Sequence, residues 1–351
     1  MKPELTLIPC ASIHPDRINL YNEINWTPAR PGRRNENENE ESNMSRVSHL
    51  LDSDRSAKGM VSKIARRKLN RSLNYLLFIA NEKKVSNVYT GRSFKFKIAF
   101  ITLTLPASQK HTDNEIKSKC LNHFLIEIKK YYQAHNYIWR AEKQKNGNLH
   151  FHLIIDKFIP HQELRDRWNK IINKLGYVDD YREEQLTFHK NGFRVREHLK
   201  KTWPVKKQRE AYERGAKLNW NSPNTTDIHS VQKIHNIQQY ISKYLTKDEI
   251  KQMAKSNPEA DIIEQTGRIW GCNRELSNVK GAQTIVDTQL QDEIELLMQC
   301  RETKVVSGDY YTVVFLDVRL LNQFPQLKLY QLFSKYMIEK FEKNIQAEIA
   351  A

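Results

Sequence analysis

Several features that many proteins rely on are missing from this sequence of 351 residues. Its four cysteines, Cys10, Cys120, Cys272 and Cys300, include no CxxC pair, which argues against both a zinc ribbon and a disulfide framework. The chain has no run of about 18 apolar residues and no secretory signal at its start, so we expect neither a membrane span nor export. A reducing cytoplasm fits these absences.

The sequence also lacks the G-x-x-x-x-G-K-[ST] pattern of a P-loop, so we expect no built-in helicase of that type. Acidic residues are scarce relative to basic ones. Lys and Arg number 57 against 41 Asp and Glu, which leaves a formal net charge of +16. An excess of this size favours a polyanionic partner, most commonly nucleic acid. A basic protein without such a partner is the alternative.

Composition and length predict one folded core with added segments. Hydrophobic residues make up 39% of the chain, which is enough to bury a core. We predict three parts: an N-terminal extension at 1–90 with a polar linker and a basic helix, a central domain at 91–279, and a C-terminal α/β extension at 280–351. The linker, from about Thr27 to Lys58, contains the tract NENENEESN, which cannot bury apolar surface.

Hydrophobic patterns in the central part predict an α+β fold, a central antiparallel sheet flanked by helices, with mainly helical extensions at both ends. β-branched and aromatic runs predict strands, and apolar residues at helical spacing predict helices. The predicted strands are KFKIAFITLTL, NYIWRAE, LHFHLIID and TDIHSVQ, and helices are predicted near 62–80, 114–133, 162–175 and 235–254. The strongly basic stretch from Lys190 to Lys217 shows no strand periodicity, and we interpret it as a loop-rich insertion that clamps DNA.

His150 and His152 lie in one of these predicted strands. Side chains alternate between the faces of a strand, so both imidazoles project to one side while Phe151 projects to the core. Two imidazoles at this spacing can share one divalent cation. The pattern also arises by chance in many proteins, where such histidines are merely polar. Three further histidines, His189, His198 and His229, are isolated in the sequence, and we interpret them as ordinary polar residues.

Glu142 supplies a candidate third ligand from the preceding strand. Whether it shares a face with the histidines depends on the hairpin turn around Gly147. A loop of three residues places Glu142 on the histidine face, whereas a loop of two residues places it on the Phe151 face. We predict the three-residue loop. A carboxylate beside two imidazoles shifts the metal preference towards Mg²⁺ or Mn²⁺.

The segment QYISKYLTK carries Tyr240, Lys243, Tyr244 and Lys247 on one face of a predicted helix. A phenol has a pKa of about 10 and is a poor nucleophile at neutral pH, so it needs a polarised phosphate or nearby cations. The two lysines could provide such cations. The alternative is a partly buried aromatic pair flanked by lysines whose stems cover apolar surface.

Taken in order, these motifs resemble the HUH endonucleases, in particular the rolling-circle replication initiators (Rep proteins) of single-stranded DNA phages and plasmids. FITLTLP at 100–106 resembles the family's first motif, the His150–His152 strand its second, and YISKYLTK its third. The later stretch GRIWGCNREL resembles a segment that follows the tyrosine helix there. The resemblance covers about Phe94 to Leu276, so the central domain would be an HUH endonuclease domain.

The resemblance implies a mechanism and a set of residues. His150, His152 and Glu142 would bind Mg²⁺ or Mn²⁺, while Tyr240 and Tyr244 would be nucleophiles assisted by Lys243 and Lys247. The substrate would be single-stranded origin DNA, nicked through a 5′-phosphotyrosine bond that leaves a free 3′-OH and is later rejoined. The basic insertion would contact DNA through Arg194, Arg196, Lys200, Lys201, Lys206 and Lys207.

The same resemblance predicts a host helicase and DNA polymerase as partners, in the cytoplasm of a bacterial host. Three other functions remain open from sequence. A relaxase or a transposase of the same superfamily would share the chemistry. A non-catalytic, RRM-like module that binds RNA or single-stranded DNA would use the basic charge and the aromatic strands for stacking. A basic structural or DNA-packaging protein would make the histidines and tyrosines incidental.

Overall fold

The computed structural model describes residues 6–25, 61–80, 82–86, 89, 91–230, 265–317 and 320–349. The predicted polar linker lies almost entirely outside these residues. The predicted helix that carries the two tyrosines also lies outside them. The structural description below concerns the described residues alone.

The described residues form twelve strands. The strands are β1 Thr6–His14, β2 Arg17–Asn25, β3 Lys83–Ser86, β4 Ser93–Phe96, β5 Ala99–Leu103, β6 Tyr137–Lys143, β7 Leu149–Ile155, β8 Thr226–Ser230, β9 Trp270–Cys272, β10 Ala282–Ile285, β11 Lys304–Ser307 and β12 Tyr311–Phe315.

Nine α-helices accompany these strands in the described part of the chain. They are α1 Lys63–Ile79, α2 Asp113–Glu115, α3 Asn122–Tyr132, α4 His161–Asn173, α5 Tyr177–Phe188, α6 Val205–Lys217, α7 Arg274–Asn278, α8 Thr288–Met298 and α9 Lys328–Ile349. A π-helical turn, Ile116–Leu121, joins α2 to α3, and short 3₁₀ turns lie at Glu197–Leu199 and Leu321–Gln323. None of the described helices has the length and apolar character needed to cross a membrane.

The chain divides into two compact units. The terminal unit combines 1–51, 64–81 and 272–351, and the central unit combines 52–63 and 82–271. In the terminal unit, strands from both ends of the chain form one antiparallel sheet in the order β10-β1-β2-β12-β11. Helix α1 contacts α9 there, with the ring of Phe78 4.7 Å from that of Phe333. The predicted extensions therefore contain helices, and their strands also join into a shared sheet.

The central unit is built on a five-stranded antiparallel sheet in the order β8-β5-β7-β6-β9. One face is the core face, where Leu149, Phe151 and Leu153 are fully buried. Helices α3 and α4 cover it, with Phe124 and Trp168 in the same cluster of buried residues. The α+β class and the antiparallel sheet with flanking helices are confirmed. Because apolar residues are concentrated on this face, the opposite face of the sheet is available for polar side chains.

The basic stretch between α5 and β8 corrects one prediction. We expected a loop-rich insertion, but α6 occupies the end of this stretch. Its inward side chains are polar or aromatic: Gln208 is buried, and Tyr212 packs at 5.9 Å from the ring of Trp220. A helix that buries a glutamine and a tyrosine shows no aliphatic periodicity, which is why the sequence pattern did not indicate it.

Candidate metal centre on the central sheet

The hairpin of β6 and β7 has the register that the three-residue loop predicts. Glu142 lies directly opposite His150. The backbone N–H of Gln144 donates to the carbonyl of Asn148 at 2.8 Å, which closes a loop of three residues that ends with Gly147. The carboxylate and both imidazoles therefore project from the same face of the sheet, away from the core.

The three side chains meet at a single point above this face. The Nε2 atoms of His150 and His152 are 3.1 Å apart. Oε2 of Glu142 lies 3.6 Å from Nε2 of His150 and 3.4 Å from Nε2 of His152. Within the described residues, only these three side chains form a group that could hold a metal ion.

The size of this triangle fits a bound cation. A triangle with sides of 3.1, 3.4 and 3.6 Å has a centre about 2.0 Å from each corner, and metal–nitrogen and metal–oxygen bonds are about 2.0–2.2 Å long. Two imidazole nitrogens this close together, beside a carboxylate, need a shared proton or a cation between their lone pairs. The donor set of two imidazoles and one carboxylate suits several divalent ions and does not distinguish among them.

Neighbouring side chains hold two of the three ligands in orientation. Oγ1 of Thr102 lies 3.3 Å from Nδ1 of His152, so the Nδ1–H can donate to the hydroxyl while Nε2 keeps its lone pair towards the centre. Arg140 donates from Nε to Oε1 of Glu142 at 2.8 Å, which turns Oε2 towards the imidazoles. The buried Nδ1 of His150 has no hydrogen-bond partner within the described residues. A cation on its Nε2 would therefore fix this ring.

The electrostatics keep the carboxylate ionised. Burial alone would raise the pKa of Glu142, but its contacts with His150 and His152 and the charge of Arg140 lower the pKa below its ordinary value. Glu142 and Arg140 are 5% and 1% exposed, so water screens their interaction very little. An ionised, oriented carboxylate is the form that binds a metal ion.

A hydrogen-bond network anchors the turn of this hairpin. The side chain of Asn148 accepts from the backbone N–H of Gln109 and donates to the carbonyl of Ala107, both at 2.8 Å. Asp113 accepts from the side chains of Gln109 at 2.8 Å and Lys143 at 2.6 Å. Burial alone would raise the pKa of Asp113, but those two hydrogen bonds lower it overall. The network fixes the ends of both ligand-bearing strands.

The predicted DNA-contacting residues are gathered in the insertion between α5 and β8. Arg196 is half-buried, with its guanidinium 4.1 Å from the ring centre of Phe188 and its backbone N–H donating to Gln208. Lys200 pairs with Glu197 at the surface. The other predicted contacts, all exposed, are Arg194, Lys201, Lys206 and Lys207. These side chains offer exposed positive charge, and Arg196 also contributes to packing.

Sequence reasoning missed some residues of this region. It did not identify Thr102 or Arg140, although both alternate correctly with their strands, because their importance comes from cross-strand pairing. It also treated His229 as isolated, whereas Nε2 of His229 lies 2.8 Å from Oδ2 of Asp227. Tyr240, Lys243, Tyr244 and Lys247 lie outside the described residues, so their positions relative to the candidate metal centre stay a prediction.

Comparison with known proteins adds one match. No curated protein and no solved structure matches the chain. Residues 98–249 match a family model described as a replication-associated protein of the ORF2 family. The matched residues include Glu142, His150 and His152, and they extend through the predicted tyrosine segment. The match supports the assignment of this chain to a family of replication initiators.

Proposed function

We propose that this protein starts replication by nicking single-stranded origin DNA through a tyrosine nucleophile at a divalent metal centre of the HUH type. The carrying observation is the convergence of Glu142, His150 and His152 at metal-binding distances within a region that matches a replication-associated family. A divalent cation bound there would polarise the scissile phosphodiester and offset its negative charge.

The residues of the chain would divide the remaining work. Glu142, His150 and His152 hold the cation, while Thr102 and Arg140 keep two of those ligands oriented. The phenol oxygen of Tyr240 or Tyr244 attacks phosphorus and loses its proton. The new bond joins the tyrosine to the 5′-phosphate, the bond from phosphorus to the 3′-oxygen breaks, and that oxygen takes up a proton.

The second tyrosine would serve the closing step. After one round of copying it attacks the regenerated junction, and the released 3′-OH attacks the first phosphotyrosine bond to close the circle. The phosphotyrosine ester keeps the energy of the broken bond, so rejoining needs no nucleotide. Lys243 and Lys247 would hold phosphate oxygens near the phenols, and exposed lysines of the insertion, such as Lys206 and Lys207, would bind flanking DNA.

Covalent adduct formation tests the proposal. The protein is incubated with single-stranded origin oligonucleotides and Mn²⁺, then separated under denaturing conditions. We expect a DNA-linked species with wild type, none with Tyr240→Phe/Tyr244→Phe, and none with His152→Ala. Each single tyrosine variant should still form an adduct but lose the terminal transfer of strands.

Two results would contradict this proposal. An adduct with the double tyrosine variant would exclude these nucleophiles. DNA or RNA binding that is independent of metal and yields no adduct would favour the non-catalytic, RRM-like alternative, in which bases stack on aromatic side chains. Adduct formation on a conjugative transfer origin or a transposon end instead of a replication origin would favour a relaxase or a transposase.

A further inference from the structure

We propose that Asp227 and His229 form a second binding site for the DNA strand on the face that carries the candidate metal centre. His229 contacts a phosphate near the scissile one, and Asp227 positions its imidazole. This inference rests on the proposed function, because it takes the strand to be the substrate of that centre.

The pairing of the strands places these residues on the face of the metal ligands. Thr102 in β5 lies directly opposite His152 on one side and Asp227 on the other. Residues directly opposite each other in antiparallel strands project to the same face. The contact of 3.3 Å between Thr102 and His152 agrees with this arrangement. His229 lies two residues beyond Asp227 in β8 and so projects to that face as well.

The separation from the metal ligands suits a neighbouring nucleotide. β8 is two strands away from β7 in the sheet. Strands are about 4.8 Å apart, so Asp227 and His152 are about 10 Å apart at the backbone. Asp227 and His229 are therefore too far away to share the cation of the candidate metal centre. A strand whose scissile phosphate lies at that centre could pass over β5 and bring a flanking phosphate to β8.

The pair itself has the form of an oriented phosphate contact. Nε2 of His229 lies 2.8 Å from Oδ2 of Asp227, and the two side chains are 61% and 62% exposed. With Nε2 donating to the carboxylate, Nδ1 is left for a ligand. A ring with a carboxylate on one side and a phosphate on the other is best satisfied as an imidazolium, which donates from both nitrogens.

The backbone under this pair is held firmly by α4. Thr225 and Thr226, which precede Asp227, are buried. Oγ1 of Thr225 donates to Oδ1 of Asn169, and Nε2 of His161 contacts the carbonyl of Thr226 at 3.2 Å. A buried, hydrogen-bonded approach to two exposed polar side chains means that the pair is positioned before a ligand arrives. Such preorganisation reduces the ordering cost of binding.

Binding of labelled single-stranded oligo(dT), measured by fluorescence anisotropy in EDTA, tests the site without metal or cleavage. We expect His229→Ala to weaken binding about tenfold at low salt, as the loss of one charge-assisted hydrogen bond would. The slope of log affinity against log salt should also fall by about 0.7, the value for one phosphate contact on a single strand. Unfolding midpoints should stay unchanged, because the side chain is exposed.

His123→Ala is the matched control. His123 also pairs with a carboxylate, Glu127, at 3.4 Å, but it lies on α3, which packs against the core face. This variant should bind oligo(dT) like wild type. Asp227→Asn should weaken binding, and Asp227→Asn/His229→Ala should be no weaker than His229→Ala alone, because Asp227 acts through His229.

The outcomes separate this inference from the proposed function. If wild type forms the adduct but His229→Ala binds oligo(dT) as tightly as His123→Ala, the strand contact is wrong and the nicking proposal stands. If wild type binds oligo(dT) with the expected loss in His229→Ala but forms no adduct, the contact stands and nicking is wrong. A wild type that neither binds nor cleaves single-stranded DNA overturns both.

Discussion

At the scale of residues, the candidate metal centre depends on side chains that never touch the cation. Glu142, His150 and His152 supply the ligand atoms, but Arg140 and Thr102 decide which atoms face inward. The hydroxyl of Thr102 matters because an imidazole that donates from Nδ1 presents a lone pair at Nε2. The orientation of His152 is therefore set by a residue from a different strand.

Removing that hydroxyl should weaken metal binding. Thr102→Val keeps the shape of the side chain but loses the partner of His152, so we expect the affinity for Mn²⁺ to fall about tenfold or more. Isothermal titration of the metal-free protein with Mn²⁺ measures this. Thr102→Ser keeps the hydroxyl and should stay close to wild type. Equal affinities for the Val and Ser variants would mean that Thr102 does not orient His152.

At the scale of elements, the β6–β7 hairpin shows how local chemistry controls a site. Gly147 ends the three-residue loop with φ of 83°, in the left-handed region that glycine adopts without strain. Most of the central strands and helices could be predicted, since periodicity is a local property. The helix α6 could not, because its buried face carries Gln208 and Tyr212 in place of aliphatic residues.

Replacing Gly147 should destabilise the hairpin by a conformational cost alone. A Cβ atom at this position would meet no other atom within 4 Å, so no steric clash contributes. We expect Gly147→Ala to lower the free energy of unfolding by about 1 kcal/mol and Gly147→Asn by less, because asparagine tolerates the left-handed region. Urea unfolding of the metal-free protein measures the difference. A larger loss for Asn than for Ala would contradict this explanation.

At the scale of the whole molecule, the two ends of the chain build one unit. His14 lies within it, 8% exposed. Tyr75 donates its hydroxyl hydrogen to the carbonyl of Lys280 at 2.8 Å, so its oxygen can accept from Nδ1–H of His14 at 3.0 Å. Nε2 of His14 then accepts from Ser12 and Asn19 at 3.1 and 3.2 Å. These hydrogen bonds favour the neutral ring.

This arrangement predicts acid sensitivity of the terminal unit. Burial, followed by the charges of Arg17 and Arg71, lowers the pKa of His14 from 6.5 to about 4. Between these values the unfolded chain binds a proton that the folded chain does not, so stability falls as pH drops from 6.5 towards 4. The loss should approach about 3 kcal/mol, since one pKa unit corresponds to about 1.4 kcal/mol.

Urea unfolding at a series of pH values between 4 and 6.5 checks this expectation. His14→Gln keeps a polar side chain but cannot titrate, so its stability should vary less with pH than that of wild type. Carboxyl groups titrate in both proteins, and the comparison removes their contribution. An identical pH dependence in the two proteins would show that His14 is not the group responsible.

The sequence by itself determined the local features: the strands and most helices, the shared face of His150 and His152, and the turn at Gly147. These depend on periodicity and backbone preferences within a few residues. Only the tertiary structure decided that Thr102 meets His152, that Asp227 and His229 lie on the metal face, and that strands from both ends of the chain share a sheet. Pairing between distant segments depends on which strands become neighbours, and alternation along one strand carries no information about that.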